Sequence, residues 1–257
     1  MFEIFLDSSS HMRISENISI KDLLSKLDWD TPYGSNDLQA LGLPSSAAAR
    51  LAQSGWLMRL GRGVYQVPNA KLDMNKALAY LSLEIPNLHV SGKTALDWRG
   101  TRHYLAHQER MNLWGLKAGR LPAWFTDLFN VTYQSTRIFD NTLPQGFGLA
   151  PLPAGNPKVM VSVPERALLK LFSDTGKLQS LEETLNVAES VRHLRPDVFE
   201  TLLTHTTRLK VVRMAKSLAE SLELPWLEIA KKHNERLGSS SRWIAVTRDK
   251  KILLLKK

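Results

Sequence analysis

The sequence contains no cysteine, which excludes a disulfide scaffold, a thiolate zinc site, an iron-sulfur cluster and a thiol nucleophile. It has no apolar run approaching the roughly 18 to 20 residues of a membrane-spanning helix. The N-terminus lacks the basic stretch and apolar core of a secretory signal. No internal repeat or low-complexity tract is present. These absences lead to the expectation of a cytoplasmic protein with no membrane partner, no metal and no cofactor. What is there is ordinary globular material: 257 residues, 43% hydrophobic and 23% charged, enough for one large domain or two modest ones.

Negative charge is in short supply, with 34 Lys and Arg against 25 Asp and Glu and a formal charge of +9. That balance favours polyanionic partners. Residues 1–90 carry 8 basic and 9 acidic groups, 91–191 carry 11 and 9, and 192–257 carry 15 and 7. The last quarter of the chain therefore holds nearly all the excess.

Residues 1–11 are set aside from fold reasoning, because Ser8-Ser9-Ser10-His11-Met12 resembles a cloning junction. From Ile18, the apolar residues Ile18, Ile20, Leu23, Leu24 and Leu27 recur near helical spacing, with Ser19 placed to cap. A turn-rich stretch, 28–35, leads to a short apolar segment at Leu38–Leu41, ended by Gly42 and Pro44. A third helix follows, with Ser45 or Ser46 as N-cap and Gly55 as its left-handed stop. The period then changes from 3.6 to 2. Trp56–Leu60 and Val64–Val67 read as strands around Gly61-Arg62-Gly63. Three short helices and a hairpin are the order of a winged helix-turn-helix, expected over 18–69.

Residues 71–257 read as a larger mixed α/β domain, giving an α+β protein with a helix-rich second half. Helices are expected at 73–83 and 91–99, and strands at 110–114, 131–136 and 158–163. Residues 141–157 read as a loop, followed by helices at 164–172, 178–193, 197–206 and 208–222 and a closing hairpin at 243–246 and 252–255.

On the third helix, packing Ala48, Leu51, Ala52 and the Trp56 ring inward turns Ser46, Ala49, Arg50 and Gln53 outward. Arg pairs with guanine and Gln with adenine in a major groove, Ser bonds phosphate, and Ala permits close approach. Arg59 and Arg62 on the hairpin can reach phosphates. The competing reading is an Ala-rich helix that merely faces solvent.

The run Ser54-Gly55-Trp56-Leu57-Met58-Arg59-Leu60-Gly61-Arg62-Gly63-Val64-Tyr65 resembles the N-terminal winged helix of the AbiEi antitoxin family. The segments Val90–Leu96, Ser162–Leu169, Leu209–Arg213, Leu224–Leu227 and Leu237–Ser239 are similar to the family's in the same order, so the likeness spans about residues 18–255. The resemblance implies a DNA-binding domain that represses its own operon through inverted repeats. It also implies a C-terminal domain that counters a nucleotidyltransferase-like toxin without requiring a stable complex. Residues 1–90, however, are not net basic, so DNA binding would need local positive charge or help from the basic C-terminal domain.

Other chemistry competes weakly. Ser91-Gly92-Lys93-Thr94 has the tail of a phosphate-binding loop, but Asn87 stands where its first glycine should be. His103 and His107 are spaced like zinc ligands on a helix, without the intervening Glu, and read as a surface pair. Glu165 reads as a carboxylate in a helix's first turn. Trp98, Trp114, Trp124 and Trp226 read as core or domain interface, and Trp243 beside Arg242 as a weak stacking candidate.

Arg208, Lys210, Arg213 and Lys216 recur along one predicted helix. Lys231, Lys232, Arg236, Arg242, Arg248, Lys250 and Lys251 follow, and together they read as a further nucleic-acid surface or a solvated one. The sequence thus favours a non-enzymatic autorepressor and antitoxin, with operator DNA and a cognate toxin as partners. No heptad seam dictates dimerisation, so a monomer in solution that cooperates on DNA is expected. A winged-helix regulator whose C-terminal domain senses a ligand is the alternative, and an RNA-processing or nucleotide-using enzyme a third reading.

Overall fold

The computed structural model describes residues 13–15, 18–100, 110–236, 243–246 and 252–255, and of 13–15, 18, 243–246 and 252–255 only the backbone. His103 and His107, Leu237-Gly238-Ser239, Arg242, Arg248, Lys250, Lys251 and residues 1–11 lie outside the described residues, as does the Trp243 side chain. The chain forms two compact units. The first runs to Leu81 and takes in Leu121–Phe129; the second comprises Ser82–Arg120 and the chain from Asn130.

The first unit opens with the antiparallel pair β1 (Arg13–Ser15) and β2 (Ile18–Ser19). Helix α1 (Ile20–Lys26) starts where Ser19 Oγ accepts the Asp22 N–H at 3.1 Å, the cap its sequence indicates. β3 (Tyr33–Gly34) and α2 (Ser35–Ala40) follow. They take over the end of the turn-rich stretch expected over 28–35, whose turn stands at its start with Thr31 N–H bonded to Asp28 O at 3.4 Å, and the helix starts three residues before Leu38. Asp37 sets that start, its carboxylate accepting the Gly34 N–H at 2.8 Å; the apolar period begins only afterwards. Then come α3 (Ser45–Gln53), β4 (Met58–Gly61) and β5 (Val64–Gln66).

The three strands form an antiparallel sheet in the order β3-β5-β4. Leu23, Leu38, Leu43, Ala48, Leu51 and Leu57 fill the core between the helices and the sheet. The unit extends past residue 69, because α4 (Met74–Glu84) is tied back by Lys76 to Asp30 at 2.6 Å and Asp28 at 3.4 Å.

In the second unit β6 (His89–Val90), α5 (Gly92–Trp98) and β7 (Met111–Trp114) precede α6 (Ala123–Leu128), which belongs to the first unit. β8 (Val131–Gln134), β9 (Leu149–Ala150) and β10 (Val161–Ser162) complete a five-stranded mixed sheet in the order β8-β7-β6-β10-β9. The β6–β10 and β7–β8 pairs are parallel. The helices are α7 (Pro164–Asp174), α8 (Leu181–Ser190), α9 (Pro196–Thr204), α10 (Leu209–Ser221) and α11 (Leu227–Arg236). β11 (Trp243–Val246) and β12 (Ile252–Leu255) pair antiparallel as the expected hairpin.

α7 is the centre of this unit. It packs on α5, α9 and α10, and every residue from Glu165 to Asp174 is buried. Trp114 and Trp226 are core residues, while Trp98 is half-buried.

Candidate nucleic-acid interface

Helix α3 separates its residues by face. Ala47, Ala48 and Leu51 are buried; Ser46, Arg50 and Gln53 are exposed, with Ala49 half-buried among them. The spacing that forces small apolar residues inward therefore presents the polar set on one side. Neither Ser45 nor Ser46 caps the helix. Pro44 is the N-cap, and no side chain bonds the first-turn amides, nor does that turn carry an acid.

Gly55 terminates the helix with φ +82°, as expected. Trp56 does not pack inward: it is 41% exposed, and Leu57, 2% exposed, takes the core position. The chain reversal at Gly55 accounts for this, since the N–H groups of both Trp56 and Leu57 bond to Leu51 O at 2.9 and 3.1 Å.

Arg59 and Arg62 are both exposed. Arg59 is steadied by its Nε, which donates to Gly61 O at 3.2 Å. In the turn, Gly63 uses a positive φ of 71°. Gly61 serves a different end: a Cβ there would lie 3.2 Å from Trp124 Cδ1, so α6 buttresses the hairpin through a close approach that no period in the sequence reveals. The turn is also pinned to α2, with Ser35 N–H bonded to Gly63 O at 2.9 Å. The hairpin tip is thereby presented as a rigid feature carrying Arg62.

Local charge resolves the apparent neutrality of the N-terminal region. No Asp or Glu occurs between Asp37 and Asp73, whereas Arg50, Arg59, Arg62 and Lys71 do. The acids of this unit precede and follow the α3–hairpin segment.

The four C-terminal cations offered as further nucleic-acid contacts behave otherwise and do not share an exposed face. Lys210 and Arg213 are 6% and 1% exposed, and Arg208 and Lys216 half-buried. Lys210 Nζ donates to Ser173 O at 3.0 Å and to Thr175 O, and Arg208 Nη1 donates to Ser173 Oγ at 2.7 Å. These cations close the C-terminal end of α7, where carbonyls lack helical partners and the dipole is negative. Burial pushes Lys210 down to about 8. On α11, Lys231 pairs with Glu228 at 2.8 Å, Lys232 pairs with Glu200, and Arg236 Nη2 bonds to Leu203 O at 3.1 Å.

The remaining motifs are built into the second unit. Ser91 occupies the N-cap position of α5, but its hydroxyl bonds the Ser162 hydroxyl at 2.8 Å instead of capping. Lys93 pairs with Glu183, and Thr94 Oγ1 accepts the Asn112 N–H at 3.0 Å, so the side chains of the phosphate-loop-like tail hold neighbouring elements. Glu165 is more than a first-turn carboxylate. Only 2% exposed, it accepts from Arg195 N, Nε and Nη2 at 2.8, 3.0 and 2.9 Å. Burial raises its pKa, and the Arg195 bonds outweigh this and hold it below the usual value.

Arg99, which no local motif singles out, ties β9 to β10 by donating to Ser162 O, Ala150 O and Val161 O at 2.7 to 2.8 Å. Arg166, Lys170 and Asp174 share one face of α7 at i, i+4 and i+8, a pattern that ordinarily marks a solvated face, so nothing in the sequence signals that this helix buries charge. Among the described residues no group of three metal-ligating side chains occurs, and no helix is long and apolar enough to cross a membrane.

Residues 16–107 match the family model described as transcriptional regulator, AbiEi antitoxin N-terminal domain. Residues 108–252 match that of transcriptional regulator, AbiEi antitoxin, type IV toxin-antitoxin system. No curated protein matches. Among solved structures, the crystal structure of RV2827C protein from Mycobacterium tuberculosis aligns with a TM-score of 0.54 over 88% of this chain and 87% of that one. Sequence identity is 17%, a likeness of fold.

Proposed function

Since the chain belongs to the AbiEi antitoxin family of type IV toxin-antitoxin transcriptional regulators, we propose that its first unit is a winged helix-turn-helix reading operator DNA. α3 enters the major groove, which is wide enough for a helix. There Arg50 bonds guanine and Gln53 adenine, Ser46 bonds a phosphate, and Ala49 allows the backbone close. The uncapped α3 amides add a phosphate site. Arg59 and Arg62 hold backbone phosphates from the hairpin. The observation that carries this reading is the exposed Ser46, Arg50 and Gln53 face within a segment that has no acidic residue.

The operator consists of inverted repeats upstream of the protein's own gene, filled by monomers that cooperate on DNA. The C-terminal region counters a nucleotidyltransferase-like toxin without a stable complex.

The test is binding to a duplex from upstream of the gene against a shuffled duplex at two salt concentrations. A preference that survives the higher salt supports an operator-binding regulator; equal, salt-erased binding to both overturns it. For the antitoxin role, an Arg50→Ala/Arg62→Ala variant co-expressed with the neighbouring toxin gene should still restore growth while operon repression is lost. Loss of both together would contradict the division of labour.

A further inference from the structure

The second unit contains a cavity of about 290 Å³ whose wall includes His89, Arg137, Phe139, Asp140, Arg166 and Lys170. Arg166 and Lys170 stand one turn apart on α7 and are 7% and 5% exposed. Arg166 Nη1 donates to Phe147 O at 2.5 Å and its Cζ lies 4.9 Å from the Phe139 ring centroid, while its Nε has no hydrogen-bond partner among the described residues. Lys170 Nζ sits 3.5 Å over the Trp114 ring and 5.8 Å from that of Phe139. Aromatic faces thus hold both cations in place, but neither has a carboxylate against it in the cavity.

The acids nearby are otherwise engaged. Asp140 Oδ1 accepts from Thr142 N, Thr142 Oγ1, Leu143 N and His205 Nδ1 at 2.7 to 3.2 Å. Asp174, the next α7 residue in the stripe, bonds Gln134 Nε2 at 2.9 Å and does not line the cavity. His89 is 4% exposed. Its Nδ1 donates to Asn87 O at 2.6 Å, which leaves Nε2 of the neutral ring as an acceptor, without a partner among the described residues.

The electrostatics agree with the geometry. Burial pushes Arg166 down to about 10 and Lys170 well below the lysine value, the latter also through the charge of Arg166 and against the opposing charge of Asp174. Burial, then Lys170 and Arg166, push His89 well below 6.5. With Arg137, Arg166 and Lys170 against Asp140, the cavity wall is net positive, which is costly to the folded chain by itself and favourable to an anion that enters it.

We infer that this cavity binds a small organic anion, whose phosphate or carboxylate seats between Arg166 and Lys170 and whose hydroxyl donates a hydrogen bond to His89 Nε2. The volume lies just below the range of about 300 to 1,000 Å³ usual for drug-sized ligands, so the ligand is compact and not a dinucleotide. This site goes beyond the operator-binding reading and does not depend on it. It would give the second unit an input separate from DNA.

The test uses the full chain at fixed ionic strength set with chloride, titrated with glycerol 3-phosphate, glycerate, inorganic phosphate and glycerol and followed by thermal unfolding. A saturable rise in Tm with glycerol 3-phosphate, glycerate or both, weaker with inorganic phosphate and absent with glycerol, is expected. A response to the first two in only one case assigns the acidic group as phosphate or carboxylate. Lys170→Met should weaken binding at least tenfold, and Lys177→Ala, at an exposed site, should leave it unchanged. Should Lys170→Met fail to fold, hydrogen exchange of the unaltered chain decides, with ligand-induced protection expected in peptides covering 137–146 and 166–170. No saturable response to any anion, unchanged affinity in Lys170→Met, or protection confined to other peptides would overturn the site.

Discussion

In the first unit Arg50, Arg59 and Arg62 stand exposed on α3 and the hairpin, whereas in the second Arg166, Lys170, Lys210 and Arg213 are buried in α7 and α10. The same residue types serve opposite ends. An exposed arginine keeps its hydration until a phosphate replaces it, and its position follows from the rigid elements beneath it. A buried lysine has already given up its water for carbonyls or an aromatic face and is closed to a polyanion on the surface. Lys210 and Arg213, among the described cations of the last quarter of the chain, are therefore taken up in folding, and the smaller, acid-free basic set of the first unit is the better candidate for DNA.

The largest effect expected from breaking this contrast is on the buried side. Arg195→Ala removes two of the three donors to the buried Glu165 carboxylate, leaving the backbone N–H, and should cost about 2 to 3 kcal/mol, since the exposed Arg195 side chain discounts the cost of a fully buried pair. Urea unfolding at pH 7 checks it. Glu165 is held below its ordinary value, so the stability it supplies is present above the unfolded carboxylate pKa and lost as pH falls through the folded one. The gap between wild type and variant should close in acid.

Arg50→Ala should reduce discrimination between operator and shuffled duplex by about 1 to 3 kcal/mol, read from paired titrations at one salt concentration. Equal losses on both duplexes would remove Arg50 from base reading.

Lys210→Met should leave DNA affinity unchanged and cost about 1 to 3 kcal/mol of stability, because two buried carbonyls lose a charged donor. Its folded pKa of about 8 lies below the ordinary 10.5. Between these values the unfolded chain binds more protons, so wild-type stability should rise with pH there, and that rise should be missing in the variant.

The smallest effect is that of Gly63→Ala, about 1 kcal/mol of stability lost to a left-handed backbone, with the new Cβ 3.1 Å from Ser35 Oγ. A differential scanning experiment resolves it.

Much of the first unit was legible in the sequence because its signals are local. Ser19 caps α1, Gly55 stops α3, and the small apolar residues of α3 fix which face is exposed. What was not legible depended on partners distant in the chain. β3 exists because it pairs with β5, and its two residues show no period. Trp124 explains Gly61 from sixty residues away.

In the second unit the helices from α7 to α10 were visible in their apolar periodicity, whereas α11, with Leu227, Ile229 and Ala230 as its main apolar residues, offered too faint a stripe. The candidate interface divides in the same way. Ser46, Arg50 and Gln53 could be placed from spacing because α3 has a single apolar face. Lys210 and Arg213 could not, because α10 is enclosed on several sides and spacing says nothing about how many neighbours a helix has.

The most direct measurement is the salt dependence of operator binding for three proteins: wild type, Arg50→Ala/Arg59→Ala/Arg62→Ala, and Arg208→Ala/Lys216→Ala. If the DNA contacts belong to the exposed cations of the first unit, the triple variant should lose about three from the slope of log K against log salt, and the double variant should match wild type. A slope unchanged in the triple variant and reduced in the double one would place DNA binding in the second unit and contradict the account.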